Sequence, residues 1–391
     1  MNEQNTRFNI DYTLLFIVLL LAMVSVFTLY TIEPYLPAKY DGAHFPLKQI
    51  QWYIVGGVGV FVIMLVDYDR FQKITWTLYG IGILLLLMLY FNFPADYVVR
   101  ANESSSWFKF PFIGTVQPSE FMKVFLVLAL AFVLVKHNNK YPTHTVKMDL
   151  WLLLKVAIVA APPMGLIAIE PDLGGFLVLS SITGAMVLVS GIKWRVIFTV
   201  ILTGLAVVGI IFVAWYVIPG PISDFLQESV FNHVQSRFYG WLNPEKYSDS
   251  GYQLIYAMLA IGSGQLFGKG IGGMEVYVPE KHTDMIFTAI SEQFGFIGAS
   301  VVIALFFMLI YRLIHIAILS NDQYGSYLVT GMVGFFAYQV FQNIGMSIQL
   351  LPITGLPLPF LSYGGSSTLT YMLAIGIVLN VHSRTRTFMF G

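Results

Sequence analysis

The chain alternates long apolar runs with short polar connections. Ten runs approach or exceed the about 20 residues that a helix needs to cross the hydrocarbon core of a bilayer. They lie near residues 12–31, 50–67, 75–93, 119–136, 150–169, 173–191, 196–218, 286–314, 325–349 and 366–382. The pattern predicts an all-α polytopic membrane protein with about ten transmembrane helices, which forms a single integral membrane domain over residues 1–391.

One connection is longer than the others. Residues 219–285 mix polar and aromatic side chains and are too few for an independent catalytic domain. We expect short helices there, packed on the membrane surface. The first apolar run lacks a small-residue cleavage site, so we expect it to be retained as a span and not removed as a signal peptide.

Composition supports a membrane protein and excludes several kinds of site. The chain is 57% hydrophobic and only 11% charged, whereas soluble domains carry about 25% charged residues. Its 21 Lys and Arg balance 21 Asp and Glu, so no basic surface for nucleic acid is indicated. The absence of cysteine excludes disulfides, a thiolate nucleophile and cysteine-ligated metals.

Basic residues in the short loops predict the orientation. With the N-terminus in the cytoplasm, eleven Lys and Arg fall on the inner side, and Lys39, Lys48, Arg100 and Lys109 fall in the short outer loops. Cytoplasmic loops are enriched in Lys and Arg. We therefore expect both termini in the cytoplasm and the long loop 219–285 outside.

Unusual polar segments fall at one end of the predicted bundle. They are Gln117–Glu120, Glu170–Asp172, His282–Asp284 and Leu356–Ser367. Ionisable groups at membrane depth are costly and are functional candidates by default. In the predicted topology all four segments lie at the outer end, so a site is expected to face the extracytoplasmic side.

Glu120 and Lys123 lie one turn apart at the start of the fourth run, where they can pair on one face of a helix. Two interpretations remain open. Glu120 could stabilise the helix by a favourable interaction with the positive end of the helix dipole, while the Lys123 side chain extends to the membrane–water interface. Alternatively, the lysine could bind a phosphate as a point charge.

Glu170 and Asp172 flank Pro171 in a tight connection between the fifth and sixth runs. Turn chemistry alone accounts for proline and aspartate there. Asp172 could also cap the following helix or reach inward to a cavity.

Asp284 is the sharpest candidate, because it stands where the eighth run enters the membrane. A helix N-cap is the alternative role, but Ile286 and Phe287 occupy the positions at which a capping box needs Glu or Gln. Further along the same run, Glu292 is expected either to pair with a basic group or to support the site from behind.

Glycines in the long loop resemble a nucleotide-binding fingerprint by spacing only. Gly268, Gly270 and Gly273 fit G-x-G-x-x-G, but that fingerprint needs a preceding strand in a βαβ unit. Without a nucleotide loop, a synthetic reaction at the outer face must use an activated substrate such as a membrane-borne diphosphate. A carboxylate base and a cation beside the leaving phosphate would suit such a transfer.

Seven ordered motifs resemble the shape, elongation, division and sporulation (SEDS) family of RodA-, FtsW- and SpoVE-like proteins. The resemblance covers nearly the whole chain. The motifs are Trp107-Phe108, Gln117–Lys123, Glu170–Gly174, Ala260–Gly264 with Gly268–Gly270, Val278–Glu280 with Thr283-Asp284, Glu292–Gly298, and Leu351–Gly355 with Ser362–Ser367.

The resemblance implies a peptidoglycan glycosyltransferase that polymerises lipid II outside the bacterial cytoplasmic membrane by inverting transfer, with release of undecaprenyl diphosphate. It also implies a class B penicillin-binding transpeptidase and other cell-wall elongation or division proteins as partners. A RodA-like role in elongation is preferred, because the tail before the first span is short. Mg²⁺ or Mn²⁺ would assist a diphosphate leaving group, but the sequence shows no ligand set and the metal stays unknown.

The same resemblance assigns roles to individual residues. Asp284 is expected to be the general base or an essential carboxylate, and Glu120 with Lys123 a polar pair near the diphosphate. The remaining substrate-binding candidates are Gln117, Trp107, Asp172 and Ser366.

Two other functions stay open at the level of sequence. Intramembrane charges also mark transport pathways, so a flippase for the lipid-linked precursor is one alternative. A non-catalytic scaffold for the transpeptidase is the other.

Overall fold

The computed structural model describes residues 10–66, 68–101, 104–110, 114–143, 145–217 and 232–385. Each of the ten predicted apolar runs corresponds to one helix, with differences of up to several residues at the ends. The helices of this part of the chain are α1 Tyr12–Ile32, α2 Phe45–Leu65, α3 Tyr68–Tyr90, α4 Pro118–Lys140, α5 Val146–Ile169, α6 Leu173–Val189, α7 Trp194–Val217, α8 Asn232–Leu242, α9 Ser248–Ser263, α10 Ile286–Leu319, α11 Gln323–Ser347 and α12 Gly365–Arg384.

Six of these helices, α1 to α5 and α10, are long and apolar enough to cross a membrane, and α6 and the first part of α7 are shorter apolar helices. Helices α11 and α12 carry more polar residues, including the buried Gln339, Asn343 and Asn380. The prediction of a polytopic helical membrane protein is confirmed.

Helices α4 and α11 form the centre of the bundle. Helix α11 packs against α4, α6 and α10, and α12 packs against α2. Leu126, Leu130, Leu328 and Phe335 are fully shielded in this core. Helix α7 is peripheral, since large apolar side chains such as Leu202 and Ile210 remain exposed along it.

A small antiparallel sheet precedes α4 and was not predicted. Its strands are β1 Val98–Ala101, β2 Ser104–Phe110 and β3 Gly114–Val116, in the order β1-β2-β3. Phe108 pairs with Val116 in the register. Because β3 ends just before α4, the sheet fixes the position at which that helix begins.

The described part of the long loop confirms the expected short helices, α8 and α9; residues 218–231 lie outside the described residues. Helix α8 is attached to the connection between α11 and α12. The Trp241 Nε1 donates to the Gln349 carbonyl at 2.9 Å, and the Gln349 amide donates to the Trp241 carbonyl at 3.3 Å.

Helix α10 is interrupted at Gly295, which has a positive φ of 63°. The loop after α9 pairs with the backbone groups that this break exposes. The Lys269 N–H donates to the Glu292 carbonyl at 3.0 Å, and the Phe296 N–H donates to the Gln265 carbonyl at 2.8 Å. Residues 296–319 still exceed the about 20 residues that a bilayer needs, so the break does not require a position at the membrane midplane.

The glycines of the loop allow this close approach. A Cβ at Gly268 would lie 2.1 Å from the carbonyl oxygen of Gln293, and its φ is +80°. A Cβ at Gly264 would lie 2.1 Å from the carbonyl oxygen of Ser291. Their spacing therefore serves helix–loop packing, since no strand leads into it within the described residues.

Candidate active site

Asp284 lies in the connection that leads into α10. The residue at the helix N-cap is Met285, and no side chain caps the helix. The Asp284 side chain is half-buried, and its Oδ1 accepts a hydrogen bond from Thr283 Oγ1 at 3.2 Å. The expectation that Asp284 does not cap this helix is confirmed, so its carboxylate is not committed to the helix terminus.

The backbone around Asp284 is held by polar side chains from α11 and from the connection before α12. The Asn343 Nδ2 donates to the carbonyls of Asp284 and Leu356, both at 2.7 Å. The Ser362 hydroxyl donates to the Thr283 carbonyl at 2.5 Å. These contacts fix the main chain and leave the carboxylate free to act.

Electrostatics favour a carboxyl that titrates near neutrality. Burial, with the Glu280 carboxylate as a second cause, raises the pKa of the Asp284 carboxyl to about 7. The hydrogen bond from Thr283 and the positive charge of Arg237 act in the opposite direction. A carboxyl with such a pKa is suited to exchange a proton at neutral pH.

Glu120 and Lys123 form the predicted pair within the first turn of α4. The Lys123 Nζ lies 2.6 Å from Glu120 Oε1, and the two side chains are 1% and 6% exposed. The ammonium also lies over the Phe335 ring, 5.4 Å from its centroid. The lysine charge is therefore already balanced inside the bundle.

Asp172 caps α6, because its Oδ1 accepts a hydrogen bond from the Gly175 N–H at 2.8 Å. This confirms the capping role among those considered. Glu170 is buried at the end of α5. Burial, together with the neighbouring Asp172 carboxylate, raises the pKa of the Glu170 carboxyl to about 8.

Arg237 of α8 was not predicted as a site residue. Its Nη1 donates to the Thr354 carbonyl at 3.2 Å. Burial lowers the pKa of the guanidinium, and the nearby carboxylates of Asp172 and Asp284 oppose that fall. Sequence reasoning missed it because an arginine in a mixed polar and aromatic loop carries no periodic signal.

Glu292 is fully buried and pairs with two lysines. This confirms the expectation that it pairs with a basic group. Its Oε1 lies 3.1 Å from Lys269 Nζ, and its Oε2 lies 3.0 Å from Lys281 Nζ. The backbone N–H groups of Glu275 and Val276 also donate to Oε1, at 2.9 and 3.0 Å. Glu292 thus fastens the segment that precedes Asp284 to α10.

Gln117 and Ser366 are brought together, whereas Trp107 is not joined to them. The Gln117 N–H donates to Ser366 Oγ at 3.0 Å, which connects the start of α4 to the start of α12. Trp107 lies on β2 opposite Val99 and is half-buried. No contact with Asp284 or Glu120 is found for it among the described residues.

Among the described residues, no group of three or more His, Asp or Glu side chains could hold a metal ion. The described residues thus do not fit a metal site built by the protein alone. No metal is assigned to the site.

Comparison with known proteins places these features in a family. The family model for FtsW, RodA and SpoVE, described as "Cell cycle protein", matches residues 11–387. The chain is 34% identical to the stage V sporulation protein E of Bacillus subtilis, over 96% of this chain and 97% of that protein. It is 33% identical to a probable peptidoglycan glycosyltransferase FtsW of Trichlorobacter lovleyi, over 95% of this chain and 92% of that protein.

Two solved structures share the fold along almost the whole chain. One is described as "Structural coordination of polymerization and crosslinking by a peptidoglycan synthase complex", with a TM-score of 0.75, 25% identity and coverage of 96% of this chain and 98% of that one. The crystal structure of the rod shape determining protein RodA of Thermus thermophilus has a TM-score of 0.67 at 25% identity, covering 97% and 98%. The chain therefore belongs to the FtsW/RodA/SpoVE family, the SEDS proteins that its motifs resemble.

Proposed function

We propose that this protein is a peptidoglycan glycosyltransferase that polymerises lipid II by inverting transfer, with Asp284 as the general base. The relatives named as peptidoglycan glycosyltransferases support the reaction class. The observation that carries the assignment of the base is the half-buried Asp284 carboxyl, which is held on a fixed backbone and has a pKa of about 7.

The reaction is a displacement at the anomeric carbon of the donor. Asp284 takes the proton of the 4-hydroxyl of the acceptor sugar as the oxygen attacks C1 of the donor. The C1–O bond to the diphosphate breaks, and undecaprenyl diphosphate leaves with the electron pair. Attack from the face opposite the leaving group converts the α-linked donor into a β-1,4 link.

We assign Glu120 and Lys123 an indirect role in binding the diphosphate, from inside the bundle. Since Lys123 is almost completely buried and pairs with Glu120 at 2.6 Å, the pair acts on the diphosphate through its electric field and through the rigidity that it gives to α4. A buried pair of opposite charge is costly to break, which keeps the start of α4 in place.

We assign the approach to Asp284 to the other candidate residues, which stand at the starts of neighbouring helices. Asp172 lies at the N-terminus of α6, and Ser366 joins the start of α12 to Gln117. We assign these three to substrate binding. Trp107, on the adjacent sheet, would contact a sugar ring at the margin of the site.

The site faces the extracytoplasmic side of the cytoplasmic membrane in this proposal. The distribution of Lys and Arg between the loops supports that orientation. The structural similarity to a peptidoglycan synthase complex in which polymerisation and crosslinking are coordinated supports a class B transpeptidase as partner.

The direct test is Asp284→Asn in the purified full-length protein, assayed for glycan polymers formed from lipid II with and without a transpeptidase partner. Asparagine keeps the shape of the side chain and cannot accept the proton, so we expect polymerisation to be lost with the thermal unfolding temperature nearly unchanged. Asp41→Asn, an exposed carboxylate-to-amide change in the connection between α1 and α2, is the matched control.

Full polymerisation by the Asp284→Asn variant would refute the assignment of the base. An inactive wild-type protein that moves fluorescent lipid II between the leaflets of a vesicle would instead favour the transporter. Inactivity in both assays, with stable binding to the transpeptidase, would favour the scaffold.

A further inference from the structure

Most cations near the site are already committed to protein carboxylates. Lys123 pairs with Glu120 inside the bundle, and Lys269 and Lys281 both pair with the buried Glu292. A diphosphate would have to displace these partners before it could reach the ammonium groups. They are therefore poor first ligands for the leaving group.

Arg237 differs from these lysines in how its charge is used. It is half-buried, and its hydrogen bond to the Thr354 carbonyl engages one N–H of the five that a guanidinium carries. The described residues give it no carboxylate partner at ion-pair distance, although Asp172 and Asp284 act on it electrostatically. Its remaining donors are available to a ligand.

The connection at Thr354 and Gly355 links Arg237 to the first turn of α6, which Asp172 caps, and to Asp284. A Cβ at Gly355 would lie 3.9 Å from Asp284 Oδ2, and a Cβ at Gly174 would lie 3.2 Å from the Thr354 carbonyl oxygen. Arg237, bonded to that carbonyl, therefore lies near the base without contacting it. Such a separation suits an inverting displacement, in which the base and the leaving group occupy opposite faces of C1.

We propose that Arg237 is a substrate-binding residue whose guanidinium holds the diphosphate of the lipid-linked donor and stabilises it as it leaves. This inference rests on the proposed function. A guanidinium matches phosphate oxygens with two parallel N–H groups, which an ammonium cannot do. Arg237 then supplies positive charge at the leaving diphosphate, where negative charge develops, while Asp284 accepts the proton on the opposite face of C1.

The test measures competition by undecaprenyl diphosphate in full-length protein reconstituted in nanodiscs with its transpeptidase. Arg237→Gln should raise the half-inhibitory concentration for lipid II polymerisation by about tenfold or more, the loss expected for a charge-assisted hydrogen bond. Arg237→Lys keeps the charge but not the paired donors, so its half-inhibitory concentration should lie between those of the wild type and Arg237→Gln. Lys246→Gln removes an exposed cation from the same loop and should match the wild type.

A binding measurement separates this inference from the proposed function. The shift in thermal unfolding temperature with added undecaprenyl diphosphate should be smaller in Arg237→Gln than in the wild type, whether or not polymers form. Inorganic diphosphate, as a second probe, should lose affinity by the same factor, because Arg237 contacts phosphate oxygens and not the prenyl chain. A loss confined to the prenylated probe would overturn the assignment.

A purely structural role for Arg237 predicts another pattern. If Arg237→Gln unfolds at a lower temperature and polymerises more slowly, yet is inhibited by undecaprenyl diphosphate at the wild-type concentration, the inference is wrong. A wild-type protein that binds the diphosphate through Arg237 but never polymerises lipid II would count against the proposed function alone.

Discussion

The Asn343 side chain offers a way to disturb Asp284 without touching its carboxylate. One buried amide group donates to the carbonyls of Asp284 and Leu356, both at 2.7 Å. Leucine has nearly the same shape and no donor. Asn343→Leu therefore removes both hydrogen bonds and leaves two carbonyl groups without this donor.

The expected cost follows from those two carbonyls. A buried acceptor left without its donor costs about 1–3 kcal/mol, and the apolar leucine offsets part of the sum, so we expect a net destabilisation of about 2–4 kcal/mol. The larger effect should be on turnover, since a displacement of the base by about 1 Å costs up to about 100-fold in rate.

Gln342→Leu is the matched control on the same helix. Gln342 is also buried, and it donates to the Pro352 carbonyl at 2.9 Å but does not contact Asp284. Its Oε1 also accepts from the Tyr338 hydroxyl at 3.0 Å, so Gln342→Leu loses two hydrogen bonds as well. We expect a comparable fall in thermal unfolding temperature, but a polymerisation rate within a few-fold of the wild type. Comparing the two variants separates the effect of releasing the connection after α11 from the effect of displacing Asp284.

Both variants are to be measured for initial rates of lipid II polymerisation over a range of donor concentrations, and for unfolding temperature in the same detergent. Our reasoning requires a lower kcat with a nearly unchanged KM in Asn343→Leu. If that variant turns over as fast as Gln342→Leu, the amide does not position the base, and the role assigned to the α11 amides is wrong.

Three further outcomes are expected. Because Asp284 acts as a base only when ionised and its pKa is about 7, kcat/KM should fall about tenfold per pH unit below pH 7 and level off above it; a flat profile from pH 5.5 to 8 would contradict this. Burial raises the Glu170 pKa to about 8, so stability should fall as the pH rises from about 5 to about 8 and level off above that; Glu170→Gln should remove the fall when unfolding temperature is followed from pH 6 to 9. Gly268→Ala should lower the unfolding temperature of the protein more than Gly270→Ala. Both glycines have positive φ, but only a Cβ at Gly268 would lie 2.1 Å from the Gln293 carbonyl oxygen. Equal unfolding temperatures would show that the backbone shifts to relieve this contact.

Hydropathy predicted the bundle well because each span must shield its own backbone from lipid. The ten apolar runs correspond to ten helices, and the charged motifs at the start of α4 and before α10 were visible as interruptions of those runs. Two local features gave no comparable signal. The strands β1, β2 and β3 are short segments between apolar runs, and the break at Gly295 rests on a single glycine, a residue that also occurs within unbroken helices of this chain.

Prediction of the site succeeded for residues that break a pattern and failed for residues that depend on tertiary contacts. The Glu120–Lys123 pair interrupts an apolar run, and Asp284 stands just before one. Arg237 becomes relevant only when α8 folds against Thr354. Asn343 is visible in the sequence as part of a polar face, because it lies four residues after Gln339 on the same side of α11.

The polar face of α11 bears on how the protein is made. Gln339, Gln342 and Asn343 are buried in the finished bundle, but a nascent segment that carries three amides gains little by entering lipid alone. Their acceptors, the carbonyls of Asp284, Pro352, Leu356 and Pro357, come from chain on both sides of the helix. Stable integration of α11 must therefore wait for synthesis of the chain beyond it, so the catalytic end would be completed among the last steps of biogenesis.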